Sequence, residues 1–198
     1  MVTAIPLITL AGEHVAIGPL RRDLVPLYHA WISNPETTQY LSEAGLVLTL
    51  DEEYAWYESQ LQSTTIRHFT IYALPDYQPI GTVNLHQINH RHHKANLGIM
   101  IGEPAMRGRG FGTEAVRLIA DFGFHAMGLH SIWLTTYEFN IAGQKAYERA
   151  GFTEVGRRRQ CRYLNGRFWD EIHYDLLASE FTNSRLAPKL AFEKSGTE

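Results

Sequence analysis

Arg107-Gly108-Arg109-Gly110-Phe111-Gly112-Thr113 is the stretch on which the reading of the fold turns. It stands between an apolar run, Leu97 to Ile101, and an amphipathic run that begins at Phe111. Glycines at positions 108, 110 and 112 let the backbone take left-handed angles and approach a ligand closely. A helix opening directly after them turns its first free N–H groups and the positive end of its dipole to the same spot. Strand, glycine-rich loop and helix in that order form an anion cradle, and the matching anion is a phosphate or pyrophosphate. A plain strand-to-helix turn is the competing reading of the glycines alone.

Outward from the cradle, the chain reads as one α/β sheet. Glu13 to Leu20 alternates as a short strand, and Asp23 to Ser33 carries Leu24, Leu27, Tyr28 and Trp31 at helical spacing until Asn34-Pro35 ends it. Thr49 is placed as an N-cap with acids behind it, opening a helix to about Leu61. Three strand-like runs follow, Arg67 to Leu74, Pro79 to Ile88 and Ala95 to Ile101, joined by short turns as an antiparallel meander. After the cradle, residues 110–127 form an amphipathic helix and Ser131 to Tyr137 a buried strand, giving a strand-helix-strand unit with parallel strands. Asn140 can cap a second helix that stops at Gly151, and two last strands flank Leu164-Asn165-Gly166-Arg167, a strong hairpin signal. The expected architecture is a single mixed, mostly antiparallel sheet with a central parallel strand-helix-strand unit. One domain is expected over residues 1–180, with a loosely ordered polar tail over residues 181–198.

Composition narrows the function classes. The 198 residues are 44% hydrophobic and 20% charged, as in ordinary globular domains. A net charge of −3 argues against a general nucleic-acid binder, and Arg157-Arg158-Arg159 with Arg162 and Arg167 reads as the solvated face of the hairpin. The lone Cys161 excludes an internal disulfide framework and suits a reducing cytosol. Neither an apolar run long enough to span a membrane nor a basic leader is present, so a cytoplasmic protein without membrane attachment is expected. His90-Arg91-His92-His93-Lys94 lies in a turn without a cysteine or carboxylate at ligand spacing, so no metal is expected there.

A second motif begins at Asn140 and reads Asn140-Ile-Ala-Gly-Gln-Lys-Ala-Tyr147-Glu-Arg-Ala-Gly151-Phe152. The strand-helix-strand unit returns its start to the sheet edge that holds the cradle. Arg107, Gly110 and Gly112 paired with Asn140, Tyr147 and Gly151-Phe152 resemble the GNAT superfamily of acetyl-CoA-dependent N-acetyltransferases. The ending Leu164 to Leu176 resembles the branch that holds ribosomal-protein N-terminal acetyltransferases and spermidine acetyltransferases.

That resemblance implies acetyl-CoA as co-substrate. Its pyrophosphate would meet the N–H groups of Arg107, Gly108, Arg109, Gly110, Phe111, Gly112 and Thr113, with Arg107 and Arg109 adding charge-assisted bonds. The pantetheine arm would lie along Ile99, Met100 and Ile101 like an added strand, and Asn140 would contact that arm. Tyr147 matches the family's general acid for the departing thiolate. Gly98 marks either a bulge aiming an N–H at the thioester oxygen or close packing against a neighbour. The family often has a glutamate two residues before this glycine, and here Asn96 stands instead, unable to take a proton. His86, Glu103 or Glu43 could stand in.

A lysine-like amine with pKa about 10.4 costs about 4.6 kcal/mol to neutralise at pH 7, against about 1 to 1.4 kcal/mol for an α-amine. The missing carboxylate therefore favours a protein or peptide N-terminal α-amine as acceptor, with a spermidine-like polyamine or another small amine as the alternative. Glu36, Tyr40 and Glu43 are the substrate-side candidates, and Trp31 is expected in the core. A dinucleotide binder would need Gly-x-Gly-x-x-Gly after a parallel sheet, and a non-catalytic CoA-binding module would not need Tyr147. Homodimerisation stays open.

Overall fold

The computed structural model describes residues 5–41, 47–182 and 184–186. Eight strands make one sheet: β1 (Leu10–Ala11), β2 (Val15–Pro19), β3 (Arg67–Ala73), β4 (Gln78–Asn89), β5 (Lys94–Ile101), β6 (Ser131–Tyr137), β7 (Thr153–Leu164) and β8 (Arg167–Leu177). Their spatial order is β1-β2-β3-β4-β5-β6-β8-β7. Neighbours are antiparallel except β5 and β6, the strands flanking the cradle helix. The expected sheet is the one observed, with β1 as an added short edge.

Alternation decides which face each side chain takes. Val83, Leu85, Ala95, Leu97, Ile132 and Leu134 point to one face and pack with Ala115, Leu118 and Ile119 of helix α4 (Phe111–Asp121). Helix α5 (Ile141–Ala150) adds Tyr147 and Ala150 to that core. The other face is covered by α1 (Val25–Ile32) and α3 (Leu50–Gln62), whose Tyr28, Trp31 and Tyr57 form a second cluster that Met100 joins. Tyr28 Oη reaches Thr70 Oγ1 at 2.5 Å and pins α1 to β3. A four-residue helix, α2 (Pro35–Thr38), follows α1 and is capped by Asn34, whose side chain accepts from Glu36 N at 2.9 Å.

Local signals behaved as their chemistry requires. Thr49 caps α3 through a reciprocal capping box with Glu52. The helix expected over residues 110–127 instead ends as α-helix at Asp121, and a π-helical turn runs over Phe122–Ala126. Gly123 accounts for the change: a Cβ there would stand 2.9 Å from Ile132 Cδ1 and 3.0 Å from Leu85 Cδ1, so the backbone itself presses on the sheet. The tail also departs from expectation. Ser184, Arg185 and Leu186 are held by the Asp121 carboxylate, which accepts from Ser184 Oγ at 2.5 Å, Arg185 N at 2.6 Å and Leu186 N at 3.1 Å. Among the described residues, no helix is long and apolar enough to cross a membrane.

Candidate active site

The parallel pair β5–β6 holds together only from Lys94↔Ser131 to Asn96↔Trp133. Beyond Asn96, β5 keeps its partners on β4 (Val83↔Ile99, Thr82↔Met100, Gly81↔Ile101), while β6 turns to β8 alone. The two strands therefore splay into a V with its apex at Asn96. One backbone edge of Ile99 to Ile101 lacks a strand, and an extended ligand can satisfy it as a strand would.

A groove of about 410 Å³ fills the V. Ile99, Met100 and Ile101 form one wall, Asn140 and Tyr147 another, and Thr37 and Tyr40 close the α2 side. The cradle forms its end. Gly108 and Gly110 have φ of +71° and +87°, and nothing lies within 4 Å of a Cβ placed on either, so backbone angle and not space demands glycine. Gly112 is different: it sits inside α4 at an ordinary angle, 3.8 Å from the nearest atom a Cβ would meet. The first intrahelical bond of α4 is Glu114 N to Gly110 O at 3.1 Å, and no side chain caps the helix. The N–H groups of Phe111 to Thr113 are therefore open to an anion. A second cavity of about 340 Å³ continues past Gly110 and Thr113 and is rimmed by Arg117, Arg149 and Arg185.

The arginines of the cradle do less than expected. Arg107 spends its guanidinium on Ile101 O at 3.1 Å and Thr37 Oγ1 at 2.7 Å, and its own N–H on Pro104 O at 3.1 Å. It braces α2 against the end of β5, so the expected charge-assisted bond to pyrophosphate is already occupied. Arg109 is exposed, lies over the Phe111 ring at 5.0 Å and donates to Met106 Sδ. Phe111 itself is core.

Tyr147 lines the groove while 9% exposed, and its hydroxyl makes no hydrogen bond among the described residues. Burial, reinforced by Tyr174 beside it, pushes its phenol up to about 12. Asn140 also lines the groove, but its side chain accepts from Gly143 N at 3.0 Å and donates to Thr136 Oγ1 at 2.9 Å, joining α5 to β6.

Gly98 stands in unbroken register with Asn84, so the bulge reading fails. The irregularity lies on β4, between His86 and Asn89, where Gln87 takes φ +51°. Gly98 is small because a Cβ would come within 3.1 Å of both amide atoms of Asn84. Among stand-ins for the glutamate, Glu103 lies past the far end of β5. Ile101 is already about 16 Å from Asn96 at about 3.3 Å per residue. His86 is the direct cross-strand partner of Asn96.

On the acceptor side, Tyr40 lines the groove and its ring meets Phe139 at 6.0 Å. Glu36 is exposed outside the groove, and Glu43 lies outside the described residues. Trp31 is core, as expected, pressed on Gly102. Arg162 does not stay on a solvated hairpin face: it reaches in to Leu41 O at 3.2 Å and lies over the Tyr137 ring. Lys145 and Arg149, one helical turn apart on α5, line the groove and went unrecognised; their spacing behind the Asn140 cap was the available signal.

Comparison with known proteins agrees with this geometry. A family model for an acetyltransferase (GNAT) domain matches residues 14–153. A probable N-acetyltransferase of Bacillus subtilis is 34% identical over 58% of this chain and 63% of its own. The spermidine N(1)-acetyltransferase of Escherichia coli K12 is 25% identical over 90% of this chain and 94% of its own. Among solved structures, spermidine N-acetyltransferase from Vibrio cholerae in complex with CoA and spermine superposes with a TM-score of 0.79 and 26% identity, covering 86% of this chain and 99% of that one. The splayed strands, the uncapped glycine cradle and the Asn140–Tyr147 helix thus sit in a family match spanning most of the sheet, and the chain belongs to the GNAT family of acetyltransferases.

Proposed function

We propose that this N-acetyltransferase moves the acetyl group of acetyl-CoA to a primary amine of a polyamine-like small molecule. The similarity to the E. coli spermidine enzyme carries the choice of acceptor. It extends over 90% of the chain, a span that takes in α1 to α3, the elements on the acceptor side. A protein or peptide α-amine was favoured only because Asn96 lacks a carboxylate. His86 opposite it weakens that argument, because a neutral imidazole can take a proton where an amide cannot.

The groove suits the donor. The open N–H groups at the start of α4 hold the pyrophosphate, and the free edge of Ile99 to Ile101 pairs with the amides of the pantetheine arm. This lays the thioester toward the apex of the V. Tyr147 on α5 faces the same groove and is the proton donor to the leaving sulfur. A phenol near 12 lies about 3.5 units above a thiol near 8.5, so complete transfer before C–S cleavage would cost about 4.8 kcal/mol. The proton therefore moves as charge develops on sulfur, within a hydrogen bond that strengthens in the transition state. Tyr40, at the groove mouth, offers its ring face to an ammonium.

Thiol release from acetyl-CoA, measured across spermidine, spermine, putrescine and peptides with varied first residues, tests the proposal. Polyamines should give the highest kcat/KM, and Tyr147→Phe should lower kcat by about 10²-fold. Peptide N-termini outperforming every polyamine would transfer the function to α-amines.

A further inference from the structure

The α3 side of β3 and β4 carries a line of polar side chains whose hydrogen-bond directions can be read from one end. The Trp56 backbone carbonyl can only accept. Ser59 Oγ donates to it at 2.6 Å and so accepts from Gln60 Nε2 at 3.2 Å. Gln60 Oε1 then faces His68 Nδ1 at 3.3 Å, which must carry the proton. His68 Nε2 is left with its lone pair and takes Asn84 Nδ2 at 3.5 Å, the longest link. Asn84 Oδ1 in turn faces His86 Nδ1 at 2.8 Å, which must donate. Only one polarity satisfies the whole chain, and it leaves the lone pair of His86 on Nε2. No group among the described residues hydrogen-bonds that atom.

His86 is half-buried and pairs with Asn96 at the apex of the V. Cross-strand partners on one face stand about 4.5–5.5 Å apart at Cβ. The imidazole thus occupies the neighbourhood that Asn96 cannot serve. We propose that His86 is the catalytic base, its Nε2 taking the proton of the attacking amine directly or through one water, and that His68 and Asn84 are positioning residues that set its tautomer. This rests on the acetyl-transfer function proposed above and names a further residue for it.

Burial supports the required states. It lowers His68 to about 3, with His86 adding to the effect, and holds His86 below the ordinary imidazole value. Both are neutral at pH 7, and a protonated His68 would have no lone pair for Asn84. Around His86 on this face the titratable groups are His68 on β3, Lys94 on β5 and Asp175, which pairs with Trp133 on β6. From α3 come Trp56, edge-on to His68, and Gln60. Gly98 serves the chain as well, since a side chain there would displace Asn84.

The step balances as follows. A neutral amine places its lone pair on the thioester carbon, and the proton it sheds passes to His86 Nε2 while the N–H electron pair stays on nitrogen. The carbonyl re-forms as the C–S bond breaks. Sulfur departs with that bonding pair and receives the proton of Tyr147. Solvent then takes the proton from His86 and restores that of Tyr147.

The test is the pH dependence of kcat with spermidine and acetyl-CoA for the parent, His86→Gln, Asn84→Asp and the double variant His86→Gln/Asn96→Glu, with CoA affinity measured on each. His86→Gln should lose about 10²-fold in kcat at pH 7 with CoA affinity within twofold. Asn84→Asp keeps an acceptor at Nδ1 and adds a negative charge, so the acidic limb should move up by about one pH unit. The double variant should recover at least tenfold over His86→Gln. A parent-like kcat and acidic limb in His86→Gln, or an unmoved limb in Asn84→Asp, would overturn the assignment while leaving acetyl transfer intact. Should His86→Gln not fold, the limb of Asn84→Asp decides alone. A parent enzyme that acetylates no amine would overturn both readings.

Discussion

Replacing Gly110 with alanine separates two reasons for a glycine in the cradle. Gly110 takes φ +87° and has nothing within 4 Å of a built Cβ, so a side chain would meet no obstacle and the whole cost is conformational. Holding a non-glycine residue in the left-handed region costs about 1–2 kcal/mol. For a chain of this size that is a fall in Tm of roughly 2–8 °C, at 2–4 °C per kcal/mol. Gly112 is the internal control. It lies in α4 at an ordinary angle with 3.8 Å of clearance, and alanine is the better helix former by about 0.8–1.0 kcal/mol. Gly112→Ala should therefore raise Tm by a few degrees. Thermal unfolding without ligand measures both. Titration with CoA should show weaker binding for Gly110→Ala, because relief of the strain turns the N–H groups away. Equal destabilisation by the two variants, or a Gly110→Ala variant with the parent's Tm and CoA affinity, would refute the claim that backbone angle is what glycine supplies.

Two further outcomes follow from buried groups. Asp121, 2% exposed, accepts from Ser184, Arg185 N and Leu186 N, and His125 Nδ1 lies 2.8 Å from it. Asp121→Ala should cost about 2 kcal/mol and speed hydrogen exchange at residues 185 and 186; retained protection there would contradict the anchoring. The lowered value of His68, about 3, ties stability to pH. Between that value and about 6.5 the unfolded chain binds the proton and the folded one does not, so stability rises with pH through this window and is lost as pH falls. Between pH 7 and pH 5 the loss is about 2 kcal/mol, read by urea unfolding at the two values. His68→Gln should flatten that slope, and an unchanged slope would remove His68 as its source.

What the sequence revealed depended on how far apart the interacting groups lie along the chain. The capping box of Thr49 and Glu52, the cap at Asn140 and the hairpin at Asn165-Gly166 each close within a few residues, and each was legible. Arg107 was misread because its partner Thr37 is 70 residues away, and the loop motif gave it an anion to bind. The end of α4 was misplaced for the same reason. The apolar stripe runs on past Asp121, and only the pressure of Ile132 and Leu85 on Gly123 forces the π-helical turn. The splay of β5 from β6 is set by pairing that stops at Asn96, which no local pattern records.

Asn96 shows why the acceptor was the hardest part to read. Along the strand, its neighbours in sequence alternate faces, and Glu103 lies beyond the strand's far end, so a search up and down the chain finds no base. Across the strand the answer changes, because antiparallel pairing sets His86 beside it on the same face. The energy argument for an α-amine assumed that the 4.6 kcal/mol needed to neutralise a polyamine nitrogen had no help from the protein. A neutral imidazole at the apex removes that assumption: it need not deprotonate the free ammonium, only accept a proton from nitrogen once the C–N bond has begun to form and the N–H has become more acidic. The preference between amines then passes from the missing carboxylate to the surfaces that meet the rest of the substrate, of which the Tyr40 side of the groove is the described part.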